Sequence, residues 1–143
     1  MARSFTSRKR SGFTLVELAV VIVIIGVLAA FGVPRFLKSV ERSKAAEAFA
    51  YLSAVRAAQE RYQARQGTYA NDISLLDIEM STPKYFTVGT ITATEGTWTQ
   101  TLTRKAGSSG YGQYTVTFNQ DGPDTTTGSL NIFTLPDINP MSS

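Results

Sequence analysis

At 143 residues the chain has room for one domain of ordinary size and a small appendage. It contains no cysteine and no histidine, which removes disulfides, zinc-thiolate sites and thiol nucleophiles, together with the usual general base and commonest metal ligand near neutral pH. The formal net charge of +3 does not mark a basic surface: four of the 14 basic side chains, Arg3, Arg8, Lys9 and Arg10, lie in the first ten residues, and beyond them ten basic residues face eleven acidic ones, a net of −1.

From Phe13 to Val33 the chain runs through twenty-one residues in which Glu17 is the one charge. As a helix rising ~1.5 Å per residue this stretch spans ~31 Å, the thickness of a bilayer's hydrocarbon core. A single transmembrane helix is the direct reading, and the basic residues before it place the amino terminus in the cytoplasm and the remainder outside. A cleaved secretory signal is the rival, with "VLAAF" as its small-residue site, but the carboxylate inside the apolar run and the length of that run weigh against it. "SRKRSGF" matches a twin-arginine signal only loosely.

Glu17 has a plain reading, a carboxylate snorkelling at the end of a membrane anchor. It has a sharper one too, because an acid in the first turns of a helix sits at the positive end of the macrodipole, and an ionisable group in a membrane marks a functional site with a partner to be named. A cut between Gly12 and Phe13 would make Phe13 an amino terminus. The new ammonium on a neighbouring copy could then offset much of the desolvation cost of the Glu17 carboxylate.

Gly12 followed by "FTLVE", basic residues before it, an apolar helix after it and Pro34 at the helix end resemble the class III signal and N-terminal helix of type IV pilins and of the pseudopilins of type II secretion systems. The resemblance covers roughly residues 8–66. It implies cleavage after Gly12 by a prepilin peptidase, N-methylation of Phe13 by the same enzyme, and association of Glu17 with the N-terminal amine of an adjacent subunit. It also implies a motor ATPase and an inner-membrane platform as partners. Gly26 and Pro34 lie inside one long helical pattern, and an interior proline costs a helix ~3 kcal/mol. The family likeness implies melting of the helix between these two positions in a filament; an ordinary proline kink is the other reading.

Residues 35–66, "RFLKSVERSKAAEAFAYLSAVRAAQERYQARQ", are rich in alanine and straight-chain helix formers, with no glycine until Gly67, and predict an amphipathic helix stopped there. Phe49, Leu52, Val55 and Tyr62 fall on one face, widened by Ala45, Ala48 and Ala58. Glu41, Lys44, Glu47, Arg56, Glu60 and Arg61 fall opposite and read as a solvated surface. Residues 67–84 read as a connecting loop with one short helical turn, anchored by Tyr69, Leu75 and Leu76. From Tyr85, "KYFTVGTITAT", "TWTQTLTRKAG" and "QYTVTFNQDG" alternate with period two between glycine-rich turns and predict three antiparallel strands joined as hairpins. "SLNIFTL" is either a fourth strand or an edge cover.

The expected fold is therefore α+β: a long N-terminal helix, transmembrane over 13–34 and amphipathic over 35–66, packed on a small antiparallel sheet in 85–143. Residues 1–12 would be a cleaved leader, and 35–143 the globular pilin domain. Better-known pilins often close the carboxyl-terminal region with a disulfide, which this chain cannot form. Asp121 and Asp124, near Asn119, could offer oxygens to calcium, but they lack the ligand spacing of a dedicated loop and "DGPD" is an ordinary turn sequence, so no metal is expected. Phosphate-binding glycine loops and activated nucleophiles are absent from the pattern. The helix aromatics Phe13, Phe31, Phe36, Phe49, Tyr51 and Tyr62 read as packing groups.

Taken together the residues and the resemblance imply a non-enzymatic, cofactor-free structural subunit. It would be a single-pass inner-membrane precursor that polymerises after processing into a homo-oligomeric, helical cell-surface filament used for adhesion or motility. The alternatives are a major pseudopilin of a type II secretion system and a DNA-uptake minor pilin. The net of −1 beyond the leader gives nucleic-acid binding little support.

Overall fold

The computed structural model describes residues 12–106, 110–126, 128 and 130–142. Helix α1 (Leu15–Gln66) is followed by a 3-10 turn at Ile73–Leu75 and five short strands: β1 (Phe86–Val88), β2 (Thr92–Ala93), β3 (Trp98–Arg104), β4 (Thr115–Asn119) and β5 (Gly122–Pro123). A second 3-10 turn lies at Ile132–Thr134. The fold is α+β, a long N-terminal helix and a small antiparallel sheet. The chain divides into two compact units, Met1–Phe36 and Leu37–Ser143.

In the first unit the apolar helix residues are uncovered: Leu15 is 88% and Phe31 73% exposed. α1 is long and apolar enough to cross a membrane by length and composition. Pro34 lies inside the helix rather than ending it, and an added Cβ at Gly26 would meet nothing among the described residues.

In the second unit, α1 stops where Gly67 takes φ +77°, and its N–H closes on the Gln63 carbonyl at 2.8 Å. Only glycine adopts that left-handed conformation without Cβ strain. The buried helix face is Ala45, Ala48, Phe49, Leu52, Val55 and Ala58, with Tyr62 partly covered. It packs on Phe86, Trp98, Leu102, Tyr114, Val116 and Phe118 from the sheet. Phe49 is the pivot, its ring edge-on to Phe118 (5.7 Å) and Phe133 (6.2 Å), and Phe86 meets Tyr114 in the same way at 5.8 Å. Such pairs add to the ~1.5–3 kcal/mol that burial of each large apolar side chain contributes.

The sheet order is β1-β3-β4-β5, with β2 pairing on β3 beyond β1, and every named pairing is antiparallel. Register runs Phe86↔Arg104, Thr92↔Thr99 and Leu102↔Val116. The expected first strand is broken in two. Gly89 donates to the Thr101 carbonyl at 3.0 Å, and a Cβ there would lie 2.6 Å from that oxygen, so the chain leaves the ladder at the one residue able to approach so closely. "SLNIFTL" is not a strand. It covers the β4 edge through a lone parallel bridge, Thr115↔Asn131, and the turn at Ile132.

Three expectations need correction. Glu41, read as part of a solvated face, is completely buried, because Arg104 and Tyr114 reach it from the sheet and satisfy its charge. Leu75 is not an anchor: it is 49% exposed, while Leu76 next to it is buried. In "QYTVTFNQDG" the alternation puts the threonines on the face opposite Tyr114, Val116 and Phe118, away from the apolar side, yet Thr117 is buried and shares a hydroxyl hydrogen bond with Thr101 at 2.9 Å.

Candidate functional site

The sequence directs attention to the amino end of α1. Thr14 stands before the helix, and its amide donates to Glu17 Oε2 at 2.9 Å while its hydroxyl donates to the same oxygen at 3.0 Å. Glu17 N–H returns to Thr14 Oγ1 at 3.2 Å. This is a reciprocal capping box, T-x-x-E, which satisfies helix-terminal donors that have no partner within the helix. Residues 14–17, "TLVE", carried that signal in the sequence, and reading Glu17 only as a charge in an apolar run missed it. Glu17 Oε1 accepts no hydrogen bond among the described residues. The carboxylate thus caps its own helix with one oxygen and presents the other, amid side chains such as Phe13 (79% exposed) and Leu15.

Gly12 and Phe13 precede the helix; Arg3, Arg8, Lys9 and Arg10 of the expected leader lie outside the described residues. A cut between Gly12 and Phe13 leaves both members of the capping box intact, since the Thr14 amide belongs to the Phe13–Thr14 peptide. Gly26 and Pro34 are both helical here.

In the second unit several polar residues fasten elements together. Arg104 grips Glu41 with two nitrogens, Nε to Oε1 at 2.6 Å and Nη2 to Oε2 at 3.2 Å, and Tyr114 donates to Oε1 at 3.0 Å. Lys44 Nζ adds a contact at 3.3 Å. Burial by itself would raise the Glu41 pKa, but hydrogen bonds from Arg104 and Tyr114 and the guanidinium charge outweigh it and hold the carboxyl at about 2. Burial, and next the Glu41 charge, push the Tyr114 phenol up. An acid this firmly ionised and a phenol this firmly protonated are poor proton-transfer groups near neutral pH.

Gln59, buried on α1, trades two hydrogen bonds of 2.8 Å with the backbone of Ala70 and fixes the start of the connecting loop. Glu47 accepts the amides of Lys84 (2.9 Å) and Tyr85 (3.4 Å) and fixes its end. Between these points a groove of about 1210 Å³ opens between α1 and residues 76–83. The carboxyl-terminal segment, which has no disulfide to hold it, is fastened by buried Asn131, Ile132, Ile138 and Asn139 and by Arg42, whose Nη2 reaches the carbonyls of Pro140 (3.3 Å) and Ser142 (2.5 Å). Lys38 pairs with Asp137 at 2.7 Å.

The two calcium candidates are turned to other work. Asp124 Oδ1 accepts from both the amide and hydroxyl of Thr126, and Asp121 Oδ2 accepts from Gln120. Among the described residues no three carboxylates gather as a metal site would need.

A family model of known proteins matches this same end of the chain. Residues 7–33 match the prokaryotic N-terminal methylation motif. The chain is 44% identical over 72 residues to the type IV major pilin protein PilA of Myxococcus xanthus, a match covering 48% of this chain and 32% of that protein. It is 34% identical over 93 residues to the type IV wide pilus major component PilA4 of Thermus thermophilus, covering 64% of this chain and 71% of that one. It is 41% identical over 56 residues to the type II secretion system core protein G of Pseudomonas aeruginosa, covering 39% of each. The matched stretch thus spans about a third of the length of the Myxococcus protein.

Proposed function

The chain belongs to the type IV pilin family, and from that premise we propose that it is a structural subunit, made as a single-pass inner-membrane precursor and polymerised into a helical filament on the cell surface. A prepilin peptidase cuts between Gly12 and Phe13 and methylates the new terminus at Phe13. An assembly ATPase and a membrane platform then draw the subunit from lipid into a bundle of like helices. The observation that carries this reading is Glu17, which caps its own helix through Oε2 while Oε1 stays open on an apolar surface. In the filament that oxygen meets the amine of Phe13 on a neighbouring copy and sets depth and register. Gly26 and Pro34 permit the helix to open between them as copies pack. Adhesion and motility are the uses such a fibre serves.

The test is direct. Fibres sheared from cells should consist of subunits whose first residue is N-methylated Phe13, read by mass spectrometry. Subunits that retain Arg3 through Gly12 within a working fibre would overturn the reading. The similarity to core protein G favours a second reading, a major pseudopilin of a secretion system. Deletion of the chain separates the two: loss of surface fibres supports the pilin, whereas loss of protein export with fibres unchanged supports the pseudopilin.

A further inference from the structure

The proline inside α1 and the side chains that tie down the next turns lie close together in the chain. Pro34 has no N–H to give the helix, and Arg35, Phe36 and Leu37 after it are exposed. The first fully buried residue of α1 is Glu41, followed by Ala45 and Ala48. Between proline and core one turn of helix must therefore be held, and a helix gains little per residue from its own backbone. Among the described residues no side chain between Glu17 and Lys38 forms a hydrogen bond or ion pair.

At Lys38 the fastening begins. Lys38 Nζ pairs with Asp137 at 2.7 Å, and Arg42 Nη2 donates to the carbonyls of Pro140 and Ser142. With Glu41, bound by Arg104 and Tyr114, they occupy positions i, i+3 and i+4, a single face of the helix. The segment they reach is itself anchored. Ile138 and Asn139 are buried, Asn139 Oδ1 accepts the Met141 amide at 2.9 Å, and the Ser142 hydroxyl reaches the carbonyls of Pro136 (2.5 Å) and Asn139 (2.8 Å). Residues 136–142 thus form a strap across the first turns of the Leu37–Ser143 unit.

We propose that this strap is a stop: through Lys38 with Asp137, and Arg42 with the Pro140 and Ser142 carbonyls, it keeps opening of α1 on the amino-terminal side of Lys38. The proposal rests on the filament reading, in which the helix opens between Gly26 and Pro34, and adds what ends that opening. The consequence is one of length. An extended residue advances ~3.3 Å against ~1.5 Å in a helix, so release of residues 38–41 would lengthen the chain between Glu17 and the first anchored turn by ~7 Å. Copies related by one repeated rotation must all keep the same length. The two sides of the strap are 98–100 positions apart, so only the folded domain supplies the stop.

Hydrogen–deuterium exchange of intact fibres, read by mass spectrometry, tests this. In wild-type fibres, peptides from residues 38–44 should exchange at least about a hundredfold more slowly than those from 27–37. Lys38→Glu together with Arg42→Gln should speed exchange over 38–41 about tenfold, because a like charge then faces Asp137 and the bonds to the carbonyls are lost. Lys38→Glu with Asp137→Lys re-forms the pair in reverse and should keep the slow rate. Peptides from 45–66 and the emission of Trp98 should stay as in the wild type. Unchanged exchange over 38–41 in the first variant would overturn the proposal. So would faster exchange through 45–66 as well, since the strap would then hold the core rather than the turn, and so would a wild-type fibre slow throughout 27–44, which has no opening to stop. Each of these is measured on fibres that begin at Phe13 and leaves the filament reading standing. Wild-type cells without fibres would sink both.

Discussion

At the scale of single residues, two glutamates on one helix show how position decides what a carboxylate does. Glu17 combines a local task, accepting the Thr14 amide, with an open second oxygen. The two tasks can be separated. Glu17→Gln keeps a carbonyl oxygen for the cap and removes the charge, whereas Glu17→Ala removes both; loss of an N-cap partner costs about 1 kcal/mol. If pairing with Phe13 governs assembly, both variants lose surface fibres alike; fibres from Glu17→Gln but not from Glu17→Ala would assign the effect to the cap. Glu41 is the opposite case, sealed in the core and held at about 2 instead of its ordinary 4.5. A depressed carboxyl pKa contributes stability that is present above 4.5 and is lost as pH falls through about 2, on the order of 3 kcal/mol in all. Trp98, the single tryptophan and 1% exposed, reports it: its emission should hold above pH 5 and shift red as pH falls from 4.5 toward 2. Arg104→Ala leaves the Glu41 charge buried without its partner and should destabilise by about 3–5 kcal/mol at neutral pH, read by the same emission in denaturant. A fall below 1 kcal/mol would mean that Lys44 and Tyr114 suffice.

At the scale of elements, Gly67 and Gln59 decide where α1 ends and the loop begins. Gly67→Ala forces a Cβ into φ +77° and should cost about 1 kcal/mol, visible as a lower midpoint in urea with the slope unchanged. The helix was legible because its signals are local: alanine-rich periodicity, no breaker between Pro34 and Gly67, and an apolar stripe of Phe49, Leu52 and Val55. Strand content was legible from period two, yet the break at Gly89 was not, since it depends on the Thr101 carbonyl across the sheet. Glu41 is a different case. The spacing of four and seven puts it in line with Ala45, Ala48, Leu52 and Val55 on the buried face. Its charge drew it into the solvated set because the partners that make its burial tolerable, Arg104 and Tyr114, lie sixty-three and seventy-three positions away. The capping box at Thr14 and Glu17 was local and could have been read from "TLVE", but a carboxylate inside an apolar run draws attention to charge before geometry.

At the scale of the whole molecule, the division at Phe36 and Leu37 separates two solubility problems. The first unit carries an apolar helix that no other described residue of the unit covers, and residues such as Leu15, Ile22 and Leu28 are more than half exposed. The second has a closed core in which Leu52, Leu102, Tyr114 and Ile132 are inaccessible to water. A fragment Leu37–Ser143 should therefore fold alone. It keeps both partners of the Glu41–Arg104 grip, the Gln59–Ala70 pair and the Arg42 clasp on the carboxyl-terminal segment. Its melt, followed by Trp98, should be a single cooperative transition, with the midpoint falling as pH drops from 4.5 toward 2. The intact chain should need detergent or lipid to stay dispersed, and the fragment should run as a monomer without either. An aggregated fragment, or one whose emission is already red at neutral pH, would show that residues before Leu37 complete the core, and the division at Phe36 would then have no physical meaning.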